Sequence, residues 1–216
     1  MAPPRYIAIE GPIGVGKTTL ARRLAQRLNG RTMLEGFEEN PFLAGFYQDR
    51  ARYAMKTQLF FLLERFDQQR REVLQTELFS KVLVSDYLFA KDRMFACLTL
   101  DAPELVLYER IYEAIAREVP PPDLVIYMTA RLEVLLERIR HRGRHFEADF
   151  DAEYLDGVRQ IYRRHFEYYT ETPLLVLETS GIDLSAAESD HFERVLAIVR
   201  EGFEGRLEYE LPGSLC

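Results

Sequence analysis

The 216-residue sequence predicts an α/β fold, a parallel sheet covered by helices, and three observations carry that expectation. Short apolar runs rich in Val, Ile and Leu recur along the chain, as strands buried on both faces require. Amphipathic stretches of helical spacing separate them. A glycine-rich turn joins the first run to the first amphipathic stretch, in "IAIEGPIGVGKTTLARRL". With 47% hydrophobic residues the chain can bury one sizeable core, so a single domain over 1–216 is expected.

Five runs read as strands: Tyr6 to Glu10, Thr32 to Leu34, Val82 to Ser85, Leu124 to Met128 and Leu174 to Leu177. The first helix is expected over Thr18 to Leu28, where Leu20, Leu24 and Leu28 form one stripe with arginines opposite. Asn29-Gly30 marks its C-terminus. Further helices are expected at about Pro41 to Leu78, Pro103 to Glu118, Leu132 to Arg140, Ala152 to Thr170 and Ala186 to Gly202. Pro120 to Pro122 read as a rigid turn feeding the fourth strand, not as a domain boundary.

Composition removes several classes of function. A formal net charge of -7 argues against a coat for nucleic acid or anionic membrane, both of which need a basic face. Cys97 and Cys216 are the two cysteines, too few for a disulfide framework or a cysteine metal site. No apolar segment approaches the ~20 residues that span a bilayer, and "MAPPRY" has neither the apolar core nor the cleavage site of a signal peptide. A small-molecule partner and a cytoplasmic location are the expectation.

Gly11, Gly16, Lys17 and Thr18 match G-x-x-x-x-G-K-[ST] between a strand and a helix, the context that gives the motif meaning. Its glycines, Gly14 among them, let successive N–H groups turn toward phosphate oxygens, and the helix N-terminus adds a favourable dipole. Lys17 supplies a cation for the β and γ phosphates, and the Thr18 hydroxyl, with Thr19 beside it, stands where Mg²⁺ and phosphate are held. An ordinary glycine-rich turn has no need of the Lys-Thr pair. The chain has no N-K-x-D guanine-reading motif, which turns attention from a switch GTPase toward a kinase of ATP and some acceptor.

"LEGFEENPFLAGFY" puts Glu35, Glu38 and Glu39 at the end of the second strand. A phosphorylated acceptor is repelled there, whereas a neutral alcohol gains a carboxylate to take its proton. Glu35 lies nearest the strand's carboxyl end, where open α/β sheets bind ligands; the alternative is a solvated acidic turn. "VLVSDYLFAKDR" ends an apolar strand in Asp86, which reads either as a Mg²⁺ carboxylate or as the cap of the next helix. Gln58 and Arg65 are seven residues apart, two helical turns, and share a face. Tyr47 joins that stripe if the helix runs unbroken. "RIRHRGRHFEADF" concentrates Arg138, Arg140, Arg142 and Arg144, which the acidic whole favours as a lid over phosphates at about 138–150.

Taken in order, "GPIGVGKTT", "EGFEENPFLAGFY", Gln58 with Arg65, "SDYLFAKDR" and "RGRHFE" resemble the deoxynucleoside kinases, in particular the bacterial deoxyguanosine and deoxyadenosine kinases, from about Tyr6 to Tyr169. The resemblance implies a P-loop kinase fold with a five-stranded parallel sheet, an arginine-rich lid and a homodimer built on helices. It implies ATP as donor, Mg²⁺, and a deoxyribonucleoside acceptor, a purine one, phosphorylated on its 5′-hydroxyl for nucleotide salvage. Glu35 would be the general base, with Lys17, Arg142 and Arg144 acting on the phosphates. Tyr47 and Glu147 would hold the sugar 3′-hydroxyl, and Gln58, Arg65 and Asp92 the base. Arg138, Arg142 and Arg144 would be lid arginines, and Asp86 the acid near the metal. One departure is plain: where many members have an acid-Arg-Ser triplet this chain has Asp86, Tyr87 and Leu88, leaving Lys91 or Arg93 to supply the missing cation. The rival reactions are a nucleoside-monophosphate kinase of the thymidylate kinase type and a nucleotide-binding regulatory module without turnover.

Overall fold

A computed structural model describes residues 3–79, 82–143, 151–182 and 189–209. The chain divides into two compact units, one made of Met1–Leu34, Phe79–Leu88 and Pro121–Cys216, the other of Glu35–Leu78 and Phe89–Pro120.

The first unit holds the sheet. Its strands are β1 (Tyr6–Glu10), β2 (Arg31–Met33), β3 (Leu83–Ser85), β4 (Leu124–Thr129), β5 (Leu174–Glu178) and β6 (Arg206–Tyr209), all parallel, in the order β2-β3-β1-β4-β5-β6. The sheet therefore has six strands, not the five expected. β6, "RLEY", has two charged residues among its four and is largely exposed, so no apolar run announces it; its Leu207 sits opposite Leu175 at the sheet's edge. The strand order reverses at β1, whose neighbours are β3 and β4. Ligands of such sheets bind beyond the carboxyl end of that strand.

Helices α1 (Lys17–Arg27), α6 (Leu132–Arg142), α7 (Ala152–Glu167) and α8 (Asp190–Glu201) belong to the same unit. Leu20 and Leu24 of α1 are fully buried against Ile7, Ile9, Val84 and Ile126, a burial worth ~1.5–3 kcal/mol for each such side chain. The end of α1 is a Schellman motif: Asn29 takes a left-handed φ of 52°, its N–H donates to Gln26 O, and the Gly30 N–H donates to Ala25 O. Gly30 is required there by space, since a Cβ would lie 2.4 Å from Val82 O. α7 stops at Glu167, short of Thr170, and α8 begins at Asp190 because the Ser189 hydroxyl accepts from Phe192 N–H as an N-cap. The expected start of that helix at Ala186 lies outside the described residues.

The second unit is helical: a 3₁₀ turn at Phe37–Glu39, then α2 (Leu43–Gln48), α3 (Arg50–Phe79), α4 (Lys91–Thr99) and α5 (Ala102–Ala116). The long helix expected from Pro41 is interrupted at Asp49, whose backbone turns to φ −145° and ψ 84°. Its carboxylate and carbonyl then accept from Arg52 N–H and Tyr53 N–H, restarting the helix as α3. Leu62 and Phe66 of α3, Phe89, Ala96 of α4 and Tyr108 of α5 form this unit's own core. The proline triplet does lead into β4, and the chain also returns to the first unit between Pro120 and Pro121.

Candidate active site

The phosphate loop follows from β1 and from the backbone its glycines permit. Gly11 has φ 150° and a Cβ there would stand 2.2 Å from Met128 O, while Gly14 has φ 84° and no room beside Ile139 and Leu135. Gly16, left-handed at φ 105°, is the N-cap of α1 and offers no side chain to its first N–H groups, which suits an anion. The Lys17 ammonium lies over the loop, donating to Gly11 O at 2.7 Å and Pro12 O at 3.2 Å. Thr18 Oγ1 donates to Asp86 Oδ2 at 2.6 Å, so two residues 68 positions apart meet. Thr19 is exposed in the first turn of the helix.

A hydroxyl and a carboxylate so close are hard oxygen donors of the kind Mg²⁺ accepts, since that ion takes few protein ligands and completes its shell with phosphate and water. No group of three or more His, Cys, Asp or Glu is gathered for a metal among the described residues.

The arginines expected in a lid differ from one another. Arg138 donates to Thr179 O at 2.7 Å and Thr179 Oγ1 at 3.1 Å, and also reaches Val15 O and Ile182 O at 3.3 Å each. Its guanidinium thus braces α6 against the phosphate loop and the turn after β5. Arg142 is exposed in the last turn of α6, which Gly143 closes with a left-handed φ of 66°. Arg144 and Glu147 lie outside the described residues.

In the second unit the acidic cluster separates into two kinds of residue. Glu38 and Glu39 are exposed, but the Glu35 side chain is only 16% exposed and is gripped at both oxygens. Arg65 donates to Oε1, and Lys91 Nζ donates to Oε2 at 2.6 Å. Arg65 also pairs with Asp92, which is completely buried. Lys91, Glu35, Arg65 and Asp92 form a chain of alternating charge. Burial by itself pushes the Glu35 carboxyl up, but the Arg65 and Lys91 charges and their hydrogen bonds outweigh it and hold the group well below the usual carboxylate range. Glu35 is therefore an ionised acceptor of modest basicity at neutral pH.

The two cations left open by the Tyr87 departure have different partners. Lys91 meets Glu35; Arg93 is exposed and pairs with Glu109 at 2.8 Å. Tyr87 itself is fully buried, with its N–H on Ser85 Oγ at 3.2 Å.

Gln58 is buried on α3, and its amide donates to Thr99 Oγ1 of α4 at 3.1 Å. The Arg65 guanidinium stacks 4.7 Å from the Phe61 ring centre. Tyr47, with its ring against Phe46 at 5.6 Å, is on α2 and does not extend the α3 stripe, because Asp49 breaks the helix between them. Sequence reasoning passed over Thr99, which orients Gln58, and Glu10. The signal for Glu10 was present: a carboxylate that ends an otherwise apolar strand.

Comparison with known proteins identifies the family. A family model described as deoxynucleoside kinase matches residues 7–203. The chain is 34% identical over 200 residues to the deoxyguanosine kinase of Bacillus subtilis (strain 168), covering 91% of this chain and 96% of that one. It is 31% identical over 192 residues to the same organism's deoxyadenosine/deoxycytidine kinase, covering 82% and 84%. The fold is similar to a deoxyadenosine kinase from M. mycoides solved with bound dCTP, at a TM-score of 0.77, 22% identity and coverage of 91% and 99%. The match runs from β1 to just past α8 and leaves β6 as the one described strand outside it, and the chain belongs to the deoxynucleoside kinase family.

Proposed function

We propose that the chain is a single kinase domain over 1–216 that moves the γ-phosphoryl group of ATP to the 5′-hydroxyl of a purine deoxyribonucleoside, deoxyguanosine before deoxyadenosine. The observation that carries this reading is Glu35, a carboxylate kept ionised by Lys91 and Arg65 without being neutralised by a proton.

In the reaction the 5′ oxygen bonds to the γ phosphorus while the bond to the β–γ bridging oxygen breaks. The hydroxyl proton passes to Glu35, and ADP leaves with the bond's electron pair. A loose transition state asks little of the base until bonding is advanced, so a weakly basic, well-oriented carboxylate suffices. Lys17 places a charge on the β and γ phosphates, assisted by Arg142 and Arg144, with Arg138 bracing the loop they act beside. When bound at Thr18 and Asp86, Mg²⁺ would neutralise charge on the β and γ oxygens. Tyr47 and Glu147 are assigned to the sugar 3′-hydroxyl.

Base choice falls to Gln58, Arg65 and Asp92. Arg65 donates to both Glu35 and Asp92, which fixes the plane of the fork. That fork suits the clustered acceptors O6 and N7 of guanine, and Asp92 suits the amino group of adenine. A cytoplasmic location and a homodimer complete the proposal; no described helix is long and apolar enough to cross a membrane.

The test is a panel of four deoxynucleosides and dTMP with ATP and Mg²⁺, analysed for product. Purine deoxynucleosides are expected to lead. A lead for thymidine or deoxycytidine refutes the purine assignment, and turnover of dTMP alone returns the monophosphate kinase reading, which Glu35 now disfavours.

A further inference from the structure

Glu10, the last residue of β1, is completely buried, and the phosphoryl transfer described above makes no use of it. Its two oxygens accept from three segments of the first unit. Oε1 receives the Gly11 N–H at 2.9 Å and the Tyr162 hydroxyl of α7 at 2.8 Å. Oε2 receives the Leu88 N–H at 2.8 Å, 78 residues further along the chain. A buried carboxylate is costly unless its oxygens are satisfied, and buried backbone N–H groups are as costly when left without an acceptor. Each side of this arrangement therefore requires the other.

The two backbone donors lie at the ends of the two segments that meet at Thr18 and Asp86. Gly11 opens the phosphate loop, and its position is doubly constrained, by Met128 O 2.2 Å from where a Cβ would be and by Glu10. Leu88 closes a tight turn in which the Ser85 hydroxyl donates to Tyr87 O at 2.5 Å and accepts from Tyr87 N–H at 3.2 Å. Asp86 is inside that turn. A displacement of Leu88 thus carries Asp86 with it, and a displacement of Gly11 carries the loop that leads to Thr18.

We propose that Glu10 is a positioning residue for the donor side of the site: its side chain ties the entrance of the phosphate loop to the Ser85–Leu88 turn and so holds Thr18 and Asp86 in register for Mg·ATP. This inference rests on ATP binding at the loop, as the proposed function has it. Held by two oxygens rather than by a single hydroxyl, the two segments keep one spacing without a ligand present, which is how a binding geometry is organised in advance.

The experiment uses the full chain and begins with Mg·ATP titrated calorimetrically into the wild type; failure to bind there sinks the kinase reading, not this one. Glu10→Gln is then compared with Tyr162→Phe. Gln keeps the shape but turns one acceptor into an NH₂ donor, and whichever way the amide rotates it faces Gly11 N–H or Leu88 N–H. The expected result is a KM for Mg·ATP raised ~10-fold, equivalent to about 1.4 kcal/mol, with the nucleoside KM within ~2-fold of wild type. Tyr162→Phe leaves both backbone bonds in place and should change the Mg·ATP KM by less than ~2-fold while lowering Tm. A folded Glu10→Gln enzyme with an unaltered Mg·ATP KM, or with both KM values raised alike, overturns the proposal. Should Glu10→Gln not fold, amide exchange in the wild type without nucleotide decides: Gly11 and Leu88 protected as strand amides supports it, and exchange at loop rates overturns it.

Discussion

Replacing Lys91 by Met removes the ammonium on Glu35 Oε2 and keeps most of the buried aliphatic stem. Glu35 retains Arg65, so the carboxylate loses one charged partner and is not stranded. A hydrogen bond between charged groups is worth about 1.5–3 kcal/mol, and at 1.36 kcal/mol per pKa unit the loss raises the Glu35 carboxyl by ~1–2 units toward the ordinary value of ~4.3. The sign follows from a folded-state pKa below the unfolded one. The stability that ionised Glu35 contributes is fully present above the unfolded value of ~4.3 and is lost as pH falls toward the depressed folded value. In the wild type the acid limb of kcat due to Glu35 should thus lie below pH ~4, and in Lys91→Met it should move up by those ~1–2 units while staying below the ordinary carboxylate value. Thermal melts should show the variant less stable near neutrality, with the gap unchanged down to pH ~4 and narrowing only as pH falls further, through the variant's raised carboxyl pKa. Superimposable pH profiles and melts for the two proteins would refute the assignment of Lys91 to Glu35.

Lys17→Ala should nearly abolish transfer while the far-UV spectrum and Tm stay close to wild type, because the chemistry depends on charge placed at the phosphates; normal turnover by the folded variant would remove the loop from the reaction. Glu35→Gln keeps the shape but removes the proton acceptor, so kcat should drop by ~10²–10⁴ with little change in nucleoside affinity, whereas weaker binding at constant kcat would make Glu35 a binding residue only. Arg65→Met leaves the fully buried Asp92 without its guanidinium and should destabilise the fold by ~3–5 kcal/mol in denaturant titration, far more than an exposed arginine would. An unchanged midpoint would mean that the Glu35–Arg65–Asp92 pairing does not persist in solution.

What could be read from the sequence alone was whatever neighbouring residues decide among themselves. Two-sided burial of β1, β4 and β5 demands continuous apolar runs, and those runs matched within a residue or two. The left-handed turns at Gly16 and Asn29 belong to residue types that tolerate positive φ, so the phosphate loop and the end of α1 were visible as short motifs. β6 carried no such mark, since an exposed edge strand is paired through its backbone and needs no apolar side chains. The break at Asp49 was hidden because its flanks are both helical in pattern and one polar residue serves equally well inside a solvated helix face.

The candidate site shows the same division. Glu35, Arg65, Asp92 and Lys91 were each recognisable as charged residues in informative surroundings, but which charge meets which depends on how α3 and α4 pack. That packing brings Arg65 to two carboxylates 30 and 27 residues away, and it sends Lys91 to Glu35 while Arg93, two positions on, turns outward to Glu109. Nothing in the order of the chain announces that the Arg138 guanidinium meets the Thr179 and Ile182 carbonyls in the turn after β5. Motifs and strand cores were determined locally because backbone conformation and burial periodicity act over a few residues. The pairing of buried charges was decided only by tertiary structure, because an ion pair's energy depends on distance and solvent exclusion between groups that the chain order does not bring together.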